Sequence, residues 1–518
     1  MTACDDLEEA AEVFEQMFSR VLDRHAPRKI FQTRKNYVPF LRDETKNLIK
    51  ERDALKEEAT RYSDEELWKE YKKLRNQVRH QLIKDKPNYY KNKFYENKMS
   101  VKEAWKLAYD LLGKSENKSP NKICHGNKII SDPKALATAF NEIFREKVKK
   151  LRAKTLTQPK KDPVCRLDEW LAKRSDPTPE FHLKPINLQI LRKLMKKIKP
   201  SRSHGFDFID SFSLKLAFPL VEESILHLVN LSITKMTYSK KWKIQLVLPL
   251  HKKNDKMEGT NYRPVSHIIE VGKIAEYAVH DQVYNHFVQH KLFHGNQHGF
   301  LGSHSTASAL VQLYDMWLGA AENKNLSAAL LLDLSAAFDI VDHSIFLKKL
   351  KAYKFSESTI LWFESYLKDR VQVVQVDTKF SDAEDLGDFA VPQGSILGPL
   401  IFLIFNNDFP ASSVEGDSVI YADDDTDTVN AKDVDELQAK IQREADRSTE
   451  WVNDNRMVCS GSKTKLLLTG TQQLKQSKLN PVSLKIEINV CGETVRDSKS
   501  ERNICTEKSG EQRITVLA

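Results

Sequence analysis

Two short apolar runs that each end in acid constrain this chain more than any other feature. Ala328-Ala329-Leu330-Leu331-Leu332-Asp333-Leu334 reads as a buried strand that delivers one carboxylate to its C-terminal end. Ser418-Val419-Ile420-Tyr421 reads as a second strand, and it runs through Ala422 into three adjacent acids, Asp423, Asp424 and Asp425. Adjacent carboxylates repel, so a hairpin tip that carries them is costly unless a cation neutralises them. Together with Asp333 they would cage two Mg2+ ions, one activating an attacking hydroxyl and one holding a triphosphate. Either segment alone reads first as an ordinary acidic turn. The pair in one basic chain points to metal-dependent phosphoryl transfer, without saying which reaction.

The chain around these runs is long and basic. It has 518 residues, 40% of them hydrophobic, enough for a large core and for two to four structural units, and this excludes an intrinsically disordered chain. Its 81 Lys and Arg against 72 Asp and Glu leave a net charge of +9. That balance favours a polyanionic partner, although charge alone fits a ribosomal factor or a membrane-surface protein as well. The six cysteines, Cys4, Cys124, Cys165, Cys459, Cys491 and Cys505, form no close pair that would put two thiolates on one zinc ion, and they read as reduced thiols. No basic-then-apolar leader opens the sequence and no apolar run looks long enough to cross a bilayer. The expectation is an intracellular protein with no membrane partner, in a cytoplasmic ribonucleoprotein particle or the nucleus.

Residues 49–98 are dense in Lys, Arg, Glu and Tyr. Ser63 and Glu66 make a capping box, and Leu67, Tyr71, Leu74, Val78 and Leu82 recur at steps of three and four. This predicts a helix whose opposite face carries Lys72, Lys73, Arg75, Arg79 and Lys84 and which stops at Pro87. Such a face is either a solvated helix surface or a nucleic-acid contact; Tyr89, Tyr90, Phe94 and Tyr95 would stack on bases or pack on protein. Residues 115–185 read as linker and small helices, broken at Asn117-Lys118-Ser119-Pro120 and at 158–163. From about 186 to 468, apolar helices alternate with strands expected at 246–250, 328–332, 371–376 and 418–421, the texture of a catalytic core.

Several segments then follow one another in a telling order: Asn261-Tyr262-Arg263-Pro264-Val265-Ser266; Asn296-Gln297-His298-Gly299-Phe300 with His304-Ser305-Thr306; and 332–339, Leu-Asp-Leu-Ser-Ala-Ala-Phe-Asp. Next come 391–400, Val-Pro-Gln-Gly-Ser-Ile-Leu-Gly-Pro-Leu; Tyr421-Ala422-Asp423-Asp424; and Ser462-Lys463-Thr464-Lys465. In order and separation they resemble two fingers motifs, palm motifs A, B and C, and the trailing Lys-Thr segment of reverse transcriptases from non-LTR (LINE-type, jockey-like) retrotransposons. Asp23-Arg24-His25-Ala26-Pro27 and residues 105–113 resemble the basic connector that precedes the polymerase in such polyproteins.

The resemblance implies an α+β right-hand polymerase: fingers, a palm with a small antiparallel sheet, and a partial helical thumb, preceded by a basic helical region. Its expected limits are 1–114 for the helical region, 115–185 for the linker, 186–440 for fingers and palm, 441–495 for a partial thumb or connection, and 496–518 for a disordered tail. The implied reaction is RNA-directed DNA synthesis, with RNA template, DNA primer, their duplex and dNTPs as partners, held mostly through phosphates and sugars. Asp333 and Asp423 would be the main ligands of two Mg2+ ions, or Mn2+, with Asp424 in support. Phe338 would clash with a ribose 2′-hydroxyl, unless it is simply core. Gln393 would face the nascent base pair, with Pro392, Gly394 and Ser395 on the template side. Arg263 would bind triphosphate, aided by Lys252 or Lys253, and Lys463 would protonate the leaving pyrophosphate.

Some positions depart from the family pattern. Ser303-His304 stands where a basic Arg is usual, Asp425 where Thr or Ser is usual, and Ala390 where Gly is usual. No endonuclease precedes the polymerase motifs, and 498–518 does not resemble a thumb. An inactive remnant that only binds nucleic acid is therefore the alternative reading. A zinc nuclease or a kinase is disfavoured, because no Cys/His ligand set and no Gly-rich Lys-Ser/Thr loop is present.

Overall fold

The computed structural model describes residues 4–27, 38–95, 101–112, 120–126, 128–155, 161–461, 463–470 and 487–496. The expected breaks at 117–119 and 158–160, Ser462, Cys505 and the tail beyond Arg496 lie outside the described residues. The chain divides into two compact units, Leu22–Lys118 and the remainder, Met1–Val21 with Ser119–Ala518.

Helix α1 (Leu7–His25) opens the chain; the smaller unit then holds α2 (Asp43–Tyr62), α3 (Glu65–Tyr95) and α4 (Val101–Leu111). Two expectations are corrected here. Ser63 adopts a left-handed conformation (φ 51°) that ends α2, and Asp64 caps α3 by accepting from the Glu66 amide at 2.8 Å. Pro87 does not end α3, which spans 31 residues and continues to Tyr95. An internal proline costs about 3 kcal/mol. The turns on either side are anchored by buried Asp85, which accepts from the Thr45 hydroxyl of α2, and by buried Tyr90.

The larger unit begins with the hairpin β1 (Ile123–His125) and β2 (Lys128–Ile130), then α5 (Pro133–Lys154), α6 (Cys165–Ala172), α7 (Leu188–Lys197) and α8 (Ser211–Thr234). Next come β3 (Ile244–His251), β4 (Tyr262–His267), α9 (Glu270–Gln289), α10 (Thr306–Glu322) and β5 (Leu326–Asp333). These lead into α11 (His343–Ala352), α12 (Glu357–Leu367), β6 (Val371–Val376), β7 (Lys379–Phe380), β8 (Glu384–Asp385) and α13 (Leu397–Asn406). The hairpin β9 (Asp417–Tyr421) and β10 (Asp424–Ala431), α14 (Val434–Asp454), β11 (Lys465–Thr469), β12 (Glu487–Val490) and β13 (Glu493–Arg496) complete the order. The architecture is α+β.

Two sheets position the chemistry. One runs β4-β3-β6-β7, with β3 and β6 parallel and β8 paired to β6. The other, wholly antiparallel, runs β11-β5-β10-β9. Helices cover both faces of the second sheet: Trp317 of α10 donates to the Thr428 hydroxyl, while Arg447 of α14 pairs with the adjacent Asp427, which points the other way. That double cover explains why β5 is apolar without alternation, with Ala328, Ala329, Leu330 and Leu332 all buried. Of the stretch expected as a partial thumb or connection, residues 441–461 and 463–469 join this sheet: α14 packs its buried Leu437, Ile441, Ala445 and Trp451 beneath it, and β11 is its edge strand.

Helix α8 is long and apolar enough to cross a membrane, against the sequence expectation. Here Leu214, Ile225, Leu228 and Val229 are buried, and Glu222 is bridged by Arg192 of α7 at 2.5 Å.

Candidate active site

The three acids meet because of strand register. Asp424 stands directly opposite Asp333 across the β10–β5 ladder, and it also pairs with Tyr421 across β10–β9. Ala422 and Asp423 are thus the two-residue loop of a tight hairpin. Ala422 sits at φ 62°, a conformation that favours glycine, so something must hold it. The hold comes from the Asn296–Gly299 segment, which lies along β9. The His298 amide donates to the Ile420 carbonyl at 2.8 Å, and the Ile420 amide donates to the Asn296 carbonyl at 2.9 Å. The Gln297 side-chain oxygen accepts from the Gly299 amide at 2.7 Å and from the Ala422 amide at 3.4 Å. A Cβ on Gly299 would come within 2.1 Å of the Ala422 nitrogen, which is why that position is glycine. The second sequence motif therefore acts here as a clamp on the acidic hairpin, a role that its sequence did not disclose.

Burial raises the Asp423 and Asp424 carboxyls above their ordinary value; Asp333 adds repulsion at both, and Asp423 adds more at Asp424. Lys463 supplies a counter-charge, with Nζ 2.7 Å from Asp333 Oδ2. Among the described residues no three His, Cys, Asp or Glu side chains converge closely enough, as they stand, to enclose a metal ion. The donor set nevertheless fits a hard divalent cation by its chemistry: acceptor-only carboxylates that repel one another and are partly neutralised by an ammonium group.

Asp425 belongs elsewhere. One residue along β10, it points to the opposite face, fully buried with neither carboxyl oxygen hydrogen-bonded. Burial, reinforced by Asp427, pushes it well above the carboxylate range. Asp427 itself is paired with Arg447 at 2.6 Å and accepts from Ser448 at 2.5 Å.

Cations gather near the acids, with Arg263 and Lys463 both acting on Asp423. Arg263, exposed on β4, lies opposite Leu250, and the Lys252 amide donates to the Asn261 carbonyl at 2.9 Å to close the turn. The Lys252 ammonium is pushed below its usual value by partial burial and then by Arg263, Lys253, Lys463 and Lys147. These groups come from four separate stretches of chain; Lys147, on α5, had no motif to mark it.

Phe338 follows Ala336, which has a left-handed backbone (φ 50°). Its half-buried ring stacks on Phe402 at 4.8 Å and meets Phe300 edge-on at 6.2 Å. The Gln393 amide donates to Asp339 Oδ1 at 2.8 Å, and the Gln393 carbonyl accepts from the Ser266 amide at 3.0 Å. Gly394 has φ 117°, and a Cβ there would lie 2.5 Å from the Ser266 carbonyl oxygen. Ser395 does not reach outward as expected. It is buried, and its hydroxyl is used within the turn, donating to Pro392 O and accepting from Gly398 N, both at 2.9 Å. Pro392 is buried as well. Ala390, at φ 84°, occupies a conformation that glycine would adopt without strain.

Residues 250–499 match the family described as reverse transcriptase (RNA-dependent DNA polymerase). Over 382 residues, 72% of this chain, the sequence is 25% identical to the Drosophila melanogaster protein named "Probable RNA-directed DNA polymerase from transposon BS" and covers 41% of it. Over 303 residues, 57% of this chain, it is 27% identical to the Drosophila melanogaster RNA-directed DNA polymerase from mobile element jockey and covers 32% of it. A match of the same identity to the jockey polymerase of Drosophila funebris spans 278 residues, 52% of this chain and 30% of that protein. The chain thus spans well under half the length of these relatives. Residues 250–499 are a reverse transcriptase domain, similar to those of the jockey and transposon BS RNA-directed DNA polymerases.

Proposed function

We propose that this chain is an RNA-directed DNA polymerase that extends a DNA 3′-hydroxyl on an RNA template. The observation that carries the reading is the register that sets Asp424 against Asp333, with Asp423 beside them at the hairpin tip. In this reading the β11-β5-β10-β9 sheet is the palm of a right hand and the β3–β4 hairpin belongs to its fingers. When bound, Mg2+, or Mn2+ in its place, would acidify the attacking hydroxyl and offset charge on the triphosphate.

The residues of the chain do the rest. Asp333, Asp423 and Asp424 would hold the cations, and Lys463, paired with Asp333 in their place, would turn toward the departing pyrophosphate. Arg263, with Lys252 or Lys253 beside it, would grip triphosphate oxygens, a task suited to a guanidinium fork. Phe338, braced by Phe402, would stand where a ribose 2′-hydroxyl would collide with it. Gln393 and Gly394 would form the surface under the templating base. Partners of this reaction are an RNA template, a DNA primer, their duplex and dNTPs, which implies an intracellular setting, in a cytoplasmic ribonucleoprotein particle or the nucleus.

The test is primer extension by purified protein on poly(rA)/oligo(dT) with dTTP and Mg2+, beside the Asp423→Ala/Asp424→Ala double variant. Extension that disappears in the double variant supports the proposal. Salt-sensitive binding of the duplex with no extension would replace it with a remnant that only binds nucleic acid.

A further inference from the structure

The turn that carries Gln393 and Gly394 leads into α13; the Ser395 hydroxyl caps the Gly398 amide at 2.9 Å, while Ile396, the residue before the helix, offers no side-chain hydrogen bond. The Ile396 and Leu397 amides, which Ser395 does not meet, are satisfied by a residue 120 positions from Ile396 in sequence. The Ile396 amide donates to Glu276 Oε2 at 2.7 Å, and the Leu397 amide donates to the same oxygen at 3.2 Å. Glu276 lies on α9, and none of its surface is exposed. Its other oxygen accepts from the Tyr238 hydroxyl at 3.3 Å. Tyr238 is itself fully buried, packed edge-on against Trp242, Trp362 and Tyr366 at 4.9–5.8 Å.

A buried carboxylate is expensive, and burial raises the Glu276 carboxyl above its ordinary value. A local cap is already present in Ser395, so capping alone does not call for a second, buried acceptor. This arrangement instead ties the turn to a different element. The same turn is tied on its other side to β4, through the Ser266 amide and the Gln393 carbonyl at 3.0 Å. The chain immediately after β4 leads into α9, so one stretch, 262–289, grips the turn from both sides.

We infer that Glu276 is a positioning residue for the template-side turn, fixing the height of Gln393 and Gly394 beneath the incoming base pair through the amides of Ile396 and Leu397. The inference rests on the proposed polymerase reading. A turn free to shift would bind the correct dNTP less well and discriminate less against a mismatched one, since that discrimination depends on a rigid surface. A purely structural role would lower the fraction of active molecules and leave both quantities alone.

The experiment compares Glu276→Gln, which keeps an oxygen acceptor, with Glu276→Asp, which keeps the charge but withdraws it by one methylene. Two readouts are taken: hydrogen exchange over residues 391–400, and single-nucleotide extension giving KM, kcat and the ratio of correct to mismatched incorporation. For Glu276→Asp the expected results are exchange faster by roughly tenfold within 391–400 alone, and a rise of similar size in dNTP KM with a reduced discrimination ratio. Glu276→Gln should stay within about twofold of the parent in both readouts. Unchanged exchange over 391–400 in Glu276→Asp, or unchanged KM and discrimination where the parent extends primer, overturns the inference. If the parent protein extends nothing, the polymerase reading falls, and exchange alone decides whether Glu276 anchors the turn.

Discussion

Asp424 and Asp333 face each other directly across two antiparallel strands, so the two carboxylates are brought together by backbone pairing rather than by side-chain reach. A slip of one residue along β10 would swing Asp424 to the far face and bring Asp425 forward. Fixing that register is the work of the hairpin clamp formed by Asn296, Gln297, His298 and Gly299.

Charge in the site should cost stability when no cation is present. Burial, Asp423 and Asp333 raise the Asp424 carboxyl above its ordinary value, so the folded chain holds that proton more tightly than the unfolded one. The linked stability is complete in acid below the ordinary carboxylate value and is lost as pH rises through the folded value. Calorimetry at pH 7 in metal-free buffer should therefore find Asp424→Asn melting roughly 2–4 °C above the parent, with the gap closing when Mg2+ is added. A variant that melts lower without metal would contradict this.

Lys463 competes with any cation for Asp333, to which it lies at 2.7 Å. The lysine is mostly exposed, so the pair is worth less than about 1 kcal/mol. Lys463→Met should lower the half-saturating Mg2+ concentration by at most about fivefold. Should kcat also fall tenfold or more, with an altered alkaline limb of the pH–rate profile, the lysine is protonating pyrophosphate as well.

Phe338 is held by its stack on Phe402. Replacing it with Val removes the ring that would exclude a 2′-hydroxyl, and rNTP incorporation relative to dNTP should rise by roughly ten- to a hundredfold. An unchanged ratio would make the ring core packing only.

Gly299→Ala probes the clamp without touching an acid. The new methyl would strike the Ala422 nitrogen, so the hairpin must shift. Overpacking of this kind costs about 1–3 kcal/mol in stability, whereas misplacing reacting groups by an ångström costs on the order of a hundredfold in rate. Extension should fall by that order in protein that still melts cooperatively; retention of full rate would mean that the hairpin does not need the clamp.

Four strands, β3, β5, β6 and β9, were readable in the sequence because each is a short apolar run bounded by polar residues, and β6 was placed to the residue, whereas β10, which opens on acids, was not foreseen. The acids drew attention only as a pair of strand-end sites in one basic chain, since either alone reads as an acidic turn. What escaped depends on tertiary pairing. Glu276 and Lys147 look like ordinary helix-surface charges until the fold brings them against the template turn and the cation cluster. By residue type Asp425 and Asp424 are indistinguishable, and only the resemblance singled out Asp424; the β alternation then separates the buried acid from the one beside Asp333. Pro87 and Ser63 misled because local rules for helix ends yielded to the packing of α2 on α3.

The same alternation provides the most direct test of the site: primer extension at saturating Mg2+ by Asp333→Asn, Asp423→Asn, Asp424→Asn and Asp425→Asn, each checked for folding. The account predicts losses on the order of a thousandfold or more for the first three, the scale on which removing charge-stabilising groups acts, and a rate within about tenfold of the parent for Asp425→Asn. If Asp425→Asn were as inactive as Asp423→Asn while Asp424→Asn kept its activity, the register, and with it the assignment of the site, would be wrong.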